Sequence, residues 1–181
     1  MDKNIPIDQN MIDYIFSHSE SLHKVQKKIL KFNDNLGKAK RLQISILQAN
    51  FLQFLIKAHK FKSCLEVGTF TGYSSLSMAL SLPKNGKVYA IDKDIKTNKI
   101  ALNFFKEAKV NNKIFIETNN GINALKKLVK SKKKFDLILI DADKESYIKY
   151  FNYAVQLINK KGIILIDNTL WKGEVLNQNA N

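Results

Sequence analysis

The sequence predicts an α/β protein with a doubly wound, mainly parallel sheet preceded by N-terminal helices. From residue 62 onward, short apolar segments alternate with segments in which apolar residues have helical spacing. Strands that alternate with helices are joined by right-handed crossovers, which produce a parallel sheet covered on both faces. Two of the apolar segments, 137–140 and 163–166, contain only Ile and Leu, as expected for central strands buried on both faces.

The predicted elements follow one another without a linker or an internal repeat, so residues 1–181 are expected to form one domain. Residues 1–60 form an N-terminal helical cap, which packs on the core or covers an oligomer or substrate site. Its helices are predicted at 10–17, 22–32 and 45–58, with a loop at 33–40. The α/β core is 61–181, with strands predicted at 63–67, 87–91, 114–117, 136–140 and 162–166. The core helices are predicted at 73–82, 96–109, 121–131 and 145–159.

The composition favours an ordinary soluble domain: 45% of the residues are hydrophobic and 25% are charged. The formal net charge of +14 first suggests nucleic acid or an anionic surface as a partner. However, Arg41 is the only arginine, and proteins that read phosphates and bases usually rely on the planar guanidinium. Nucleic-acid binding is therefore the disfavoured alternative.

Cys64 is the only cysteine, which excludes an internal disulfide and a thiolate zinc cluster. Its position in an apolar strand favours a buried, unreactive side chain. The N-terminus has no apolar signal segment, and no apolar run reaches membrane-spanning length. A cytoplasmic protein without membrane partners is expected.

Residues 64–76 have the pattern of a strand, a tight turn with Gly68 and Gly72, and the start of a helix. Glycines let the backbone approach a ligand closely, and free amides at a helix start favour its anionic groups. Asp92 ends the next predicted strand, where an acid is well placed to hold the two hydroxyls of a ribose. The G-x-x-x-G spacing differs from the dinucleotide fingerprint, so a ribose-bearing ligand other than NAD is favoured. The alternative is a strand–turn–helix without a ligand.

Acidic residues follow the fourth and fifth predicted strands: Asp141 ends one, and Asp167 with Asn168 ends the other. If these strands are neighbours, the three side chains converge at the ligand-binding edge of the sheet. Two carboxylates and an amide carbonyl suit a hard cation such as Mg²⁺, Mn²⁺ or Ca²⁺, and disfavour zinc. The alternative is that acids at such positions cap helix N-termini, and we expect that role for Asp143.

Lys144 lies three residues after Asp141, at the predicted start of a helix. Beside a bound cation its ammonium form is disfavoured, so the neutral amine would become available as a general base. Without a cation, a surface lysine is the simpler interpretation.

At these residues the sequence resembles the cation-dependent O-methyltransferases. This class I S-adenosylmethionine family, with a Rossmann-like sheet, includes caffeoyl-CoA and catechol O-methyltransferases and bacterial relatives. The resemblance runs from about Tyr14 to Val175. The motifs that carry it are residues 66–75, 140–144 with Tyr147, Gly162, and 167–171 with Gly173.

The resemblance implies a role for each matching position. Glu66, Gly68 and Ser74 would surround the methionine part of the cofactor, with Ser74 on its carboxylate. Asp92 would hold the ribose, and Trp171 would wall the substrate site. Asn119 and Asn120 stand where the family has Gly-Asp near the adenine, and Ile46 and Ala49 replace the usual proline and glycine in the loop of Ser45. The implied cofactor-binding set is Ser45, Glu66, Gly68, Ser74, Asp92, Asn120 and Asp141; the implied metal ligands are Asp141, Asp167 and Asn168; and the implied catalytic residues are Lys144, as the base, and Asp141.

The function that the resemblance implies is methyl transfer from S-adenosylmethionine to a hydroxyl of a catechol-like or hydroxylated aromatic small molecule, with a divalent cation and in a homodimer. The family continues with a helix and a final antiparallel strand pair, whereas this sequence stops at Asn181. We therefore expect that strand pair to be absent and the fifth strand to be an edge. The alternatives are a catalytically impaired S-adenosylmethionine-binding protein and, with less support, a nucleic-acid methyltransferase.

Overall fold

The computed structural model describes residues 7–177, so residues 1–6 and 178–181 of the predicted domain lie outside the described residues. Its centre is a five-stranded parallel sheet with the order β3-β2-β1-β4-β5. The order reverses between β1 and β4, so the crevice at their carboxyl ends is where ligands of such sheets bind. The strands are β1 (Ser63–Val67), β2 (Lys87–Asp92), β3 (Ile114–Thr118), β4 (Phe135–Ile140) and β5 (Ile158–Ile166).

Helices cover both faces of the sheet, which confirms the doubly wound α/β class. Buried side chains of the second to fifth helices pack on one face in a single cluster, and those of the last two helices pack on the other face. The first helix buries no side chain. The helices are α1 (Gln9–Ser17), α2 (Lys24–Asp34), α3 (Ile46–His59), α4 (Tyr73–Ser81), α5 (Ile95–Glu107), α6 (Gly121–Lys130) and α7 (Tyr147–Leu157).

Two segments differ from the prediction. The predicted loop at 33–40 contains the start of a 3₁₀ helix, Gly37–Leu42. This short connector has too few turns to show a periodic pattern of apolar residues in the sequence. The helix predicted at 145–159 begins with a 3₁₀ turn and ends at Leu157, because Ile158 already pairs with Phe135 of β4. An apolar residue suits either a helix or a strand, so periodicity does not locate this boundary.

The two apolar strands have different environments. In β4, Leu137, Ile138 and Ile140 are fully buried, as expected of a central strand. Of the two expectations for β5, the edge strand agrees with the described sheet, whereas full burial on both faces does not, because residues 163–166 are only half-buried. An apolar run indicates that side chains cover both faces of a strand, but it does not indicate whether a neighbouring strand lies on each side of it.

Beyond β5 the described chain turns and ends in a 3₁₀ helix, Trp171–Leu176. None of the helices within residues 7–177 combines the length and the apolar character that crossing a bilayer requires.

Candidate active site

The glycine turn follows β1 and packs against the end of β4. Gly68 has φ +97°, and a Cβ placed on it would lie 1.8 Å from the carbonyl oxygen of Asp141. Gly72 has φ +86°, and its Cβ would lie 2.6 Å from the ring of Phe105. Both positions therefore require glycine, and Gly68 allows the tip of β4 to lie directly against the turn.

Glu66 is fully buried beneath this turn. Its Oε2 accepts a hydrogen bond from the Ser75 hydroxyl, whereas its Oε1 has no partner among the described residues. Burial raises the pKa of Glu66 to about 7, although the nearby hydroxyls of Ser74 and Ser75 oppose this shift. A buried, unpartnered acceptor at the foot of a ligand-binding turn marks a place for a cationic or hydrogen-bond-donating group.

Asp92, at the end of β2, binds the glycine turn through its carboxylate. Its Oδ2 accepts from the backbone amides of Thr69 at 2.9 Å and Phe70 at 2.8 Å, and its Oδ1 accepts from the amide of Asp94 at 2.9 Å. A carboxylate has about four acceptor positions, so about one is left toward the cavity. The same residue thus shapes the turn and faces the cavity.

Asn119 and Asn120 lie at the start of α6. The Oδ1 of Asn120 caps this helix by accepting from the amides of Ile122 and Asn123 at 3.0 and 3.4 Å. The side-chain amide of Asn119 donates to Glu117 at 2.9 Å. Both residues line the cavity, but these bonds already occupy part of their hydrogen-bonding capacity.

The tips of β4 and β5 lie side by side, because Ile140 pairs with Ile166. Asp141 follows the first strand, and Asp167 with Asn168 follows the second. Burial raises the pKa of Asp141, and the nearby carboxylate of Asp167 raises it further.

The Lys144 ammonium lies among these oxygens. Its Nζ donates to Asn168 Oδ1 at 2.9 Å and is 3.5 Å from Asp141 Oδ1. It also donates to the hydroxyl of Tyr147, and it lies 4.4 Å from the centre of that ring. The oxygens of the two strand tips therefore already gather around one positive charge.

This donor set fits a hard divalent cation, because such cations prefer carboxylate and amide oxygens as ligands. These oxygens already surround a positive charge, that of Lys144. Within residues 7–177, no three or more His, Cys, Asp or Glu side chains are grouped as they would be to hold a metal. A cation at this place would therefore depend on the amide oxygen of Asn168, and on oxygens of water or substrate, to complete its shell.

Asp143 departs from its expected role. It occupies the residue before the 3₁₀ turn Lys144–Ser146, but its side chain does not cap the backbone there. Instead its Oδ1 accepts from the hydroxyl of Tyr150 at 2.6 Å. That hydroxyl comes from the first turn of α7, seven residues further along the chain, so spacing alone could not separate the two roles.

A cavity of about 640 Å³ opens at this edge of the sheet, over the switch point between β1 and β4. Seven residues of the sequence-based sets line it: Gly68, Asp92, Asn120, Asp141, Lys144, Asp167 and Asn168. Glu66 lies beneath the turn, and Ser74 lines a small adjoining recess.

Besides Glu66 and Ser74, two further residues of the sequence-based interpretation do not line this cavity. Ser45 is exposed, and its hydroxyl caps α3 by accepting from the amide of Gln48 at 3.2 Å. Trp171 follows β5 in the last 3₁₀ helix, with 53% of its surface exposed. In contrast, Arg41, Gln43 and Gln48 line the cavity although the sequence interpretation gave them no role. The Ser-x-x-Gln spacing at 45–48, typical of a capping box, was the available signal for Gln48.

Comparison with known proteins found a matching family model and several similar relatives. A family model described as "O-methyltransferase" matches residues 16–181. A caffeoyl-CoA O-methyltransferase of Populus kitakamiensis is 40% identical over 141 residues, which cover 77% of this chain and 60% of the relative. Tricin synthase 1 of Oryza sativa subsp. japonica is 39% identical over 140 residues, covering 74% and 56%. The chain thus spans about 60% of the length of these two relatives.

Solved structures agree in fold. An O-methyltransferase from Bacillus cereus in complex with SAH has a TM-score of 0.85 and 28% identity, covering 93% of this chain and 77% of that one. The O-methyltransferase TomG from Streptomyces achromogenes, in complex with SAM, has a TM-score of 0.87 over 93% and 75% of the two chains. Its 24% identity makes it evidence for the fold alone.

Proposed function

This chain belongs to the class I S-adenosylmethionine-dependent O-methyltransferase family, and we propose from that premise that it methylates small-molecule hydroxyl groups. The proposed acceptor is a catechol-like or hydroxylated aromatic compound. The proposed reaction requires a divalent cation, Mg²⁺ before Mn²⁺ or Ca²⁺. The observation that carries this proposal is the gathering of Asp141 and Asn168 oxygens around the Lys144 ammonium, beside the cavity.

S-adenosylmethionine is the proposed cofactor, and when bound it supplies an activated methyl group. The unpartnered Oε1 of Glu66 supports a contact with the amino group of its methionine part. Ser74 would bind the carboxylate of that part, Asp92 the ribose hydroxyls, and Asn120 the adenine. The chain's part in the reaction is chiefly to hold the acceptor oxygen in line with the methyl carbon.

Asp141, Asp167 and Asn168 are the residues that we propose hold the cation. When bound, it would lower the pKa of a chelated hydroxyl and fix the direction of that oxygen. Lys144 would accept the hydroxyl proton at Nζ, with Tyr147 and Asn168 orienting the amine.

The acceptor class is supported by the size of the cavity and by the names of the relatives. A volume of about 640 Å³ lies within the range of small-molecule sites. The relatives are named for caffeoyl-CoA and tricin, which are hydroxylated aromatic compounds. We also propose a homodimer, the state that the resemblance implies, which sedimentation velocity would test.

Replacing Asp141 with Ala tests the function. Methyl transfer to a panel of catechols should be lost, and EDTA should abolish transfer in the unmodified protein, since both changes remove the proposed cation. Asp34→Ala is the control, because within residues 7–177 that carboxylate forms only an exposed ion pair with Lys40. An undiminished rate in Asp141→Ala would rule out the cation role.

Two outcomes would favour the alternatives. Calorimetric binding of S-adenosylhomocysteine without cation-stimulated turnover would favour a binding protein that does not catalyse. Strongly salt-dependent RNA binding would favour a nucleic-acid methyltransferase.

A further inference from the structure

We infer that Gln48 is a positioning residue for the proposed cation site: it holds the Asp167 carboxylate in place from the start of α3. Its Nε2 donates to Asp167 Oδ1 at 2.7 Å, across 119 residues of sequence. This inference rests on the proposed function, because it concerns a ligand of the proposed cation.

The orientation of the Gln48 amide follows from the capping box of α3. The backbone amide of Ser45 donates to Gln48 Oε1 at 2.8 Å, and the backbone amide of Gln48 donates to Ser45 Oγ at 3.2 Å. Because Oε1 must be the acceptor in the first bond, Nε2 is the group directed at Asp167. The cap thereby fixes a hydrogen-bond donor at the edge of the cavity.

The second bond to Asp167 uses the same oxygen. The backbone amide of Asn168 also donates to Asp167 Oδ1, at 2.7 Å. Both hydrogen bonds that this carboxylate receives within residues 7–177 therefore end on Oδ1, which leaves Oδ2 for a cation. Two donors on one oxygen restrict rotation of the carboxylate, and such fixing of a ligand is the ordinary role of groups behind a metal site.

Gln48 leaves the charge of the site unchanged. It is a neutral donor beside Asp167, which interacts with Asp141 strongly enough to raise the pKa of that residue. The amide thus orients a carboxylate without adding a third negative charge.

The test compares Gln48→Met, which keeps the length of the side chain but loses its hydrogen bonds, with Gln53→Met. Gln53 lies in the same helix, and its side chain accepts from the Ser81 hydroxyl at 3.3 Å rather than bonding to Asp167. Mn²⁺ binding is measured on the full chain by electron paramagnetic resonance and calorimetry, and thermal unfolding checks that each variant is folded. Loss of binding in Asp141→Ala identifies the site.

Gln48→Met should weaken Mn²⁺ binding by about tenfold to a hundredfold, the usual effect of removing a group that orients a metal ligand. Gln53→Met should stay within about twofold of the unmodified protein, because its side chain does not bond to Asp167. An unchanged affinity in Gln48→Met would overturn the inference, and so would equal losses in both variants, which would assign the effect to a general disturbance of α3. If the unmodified protein binds no Mn²⁺, the proposed cation fails as well; if it binds and Gln48→Met binds equally, only the role of Gln48 fails.

Discussion

At position 68, both the local backbone conformation and the tertiary packing require glycine. Gly68→Ala should lower the free energy of unfolding by more than about 3 kcal/mol, because φ is +97° and the new Cβ would meet the backbone oxygen of Asp141 at 1.8 Å. Urea denaturation followed by circular dichroism measures the loss.

Gly37→Ala is the matched control for that experiment. Gly37 has φ +55°, but nothing lies within 4 Å of its Cβ position. The cost there should be about 1–2 kcal/mol, the strain of the left-handed conformation alone. Equal losses at the two glycines would show that the close approach of Asp141 is not tight in solution.

Glu66 should make the ligand-free protein less stable as the pH rises. Burial raises its pKa from the usual 4.5 to about 7, so between these values the folded chain holds a proton that the unfolded chain has released. The contribution of Glu66 to stability is therefore greatest below about pH 4.5, falls through about pH 7 and is level above it, with a total change of about 3 kcal/mol.

Glu66→Gln should remove this slope, since the amide does not titrate. Urea denaturation of both proteins at pH values from 4.5 to 8 measures the difference between their stability curves. Parallel curves would mean that Glu66 does not carry the pH dependence.

At the scale of elements, β4 and β5 allow a central strand and an edge strand to be compared. Ile138 and Ile164 are partners in the register of the two strands, but the first is fully buried and the second is half-buried. Ile138→Ala should cost about 4 kcal/mol, and Ile164→Ala about half as much, since less apolar contact is lost. Urea denaturation measures both. Equal losses would indicate that β5 is covered in solution as completely as β4.

The third helix shows why the pattern of an element does not settle its environment. Leu52 and Leu55 of α3 are buried, yet Phe51 and Phe54 are 52% and 63% exposed. The apolar spacing predicts the helix correctly, but apolar residues are present all around it. Which side meets the core depends on where α4 lies, and that is a property of the assembled fold.

At the scale of the whole molecule, the proposed cofactor site draws on several strands, so ligand binding should stabilise the entire fold. S-adenosylhomocysteine at a hundred times its dissociation constant should add about 2.7 kcal/mol, or roughly 5–10 °C in Tm for a chain of this length. NAD⁺ at the same concentration should produce no shift, because the glycine spacing differs from the dinucleotide fingerprint. Differential scanning fluorimetry measures both. A comparable shift with NAD⁺ would contradict the assignment of the cofactor.

Much of the fold could be predicted because its signals are local. The alternation of apolar strands and amphipathic helices specified the parallel sheet, and residues that follow parallel strands meet at one edge. That Asp141 lies at the same edge of the sheet as the glycine turn therefore followed from the alternation of elements, whereas their direct contact depends on the pairing of β1 with β4, which was not predicted. The bonds of individual polar groups did not, because Asp143 and Gln48 find their partners on other elements.

The order of amino acids was enough to predict the class of fold and the edge of the sheet where the polar residues gather, because periodicity, glycine positions and strand ends are properties of neighbouring residues. The family followed from the resemblance of the motifs. The packed fold was needed to show that Asp92 binds the amides of the glycine turn, that Lys144 lies between Asp141 and Asn168, and that Gln48 donates to Asp167. A polar side chain bonds to whatever donor or acceptor the packed elements bring within about 3 Å, and that distance is set by the whole fold.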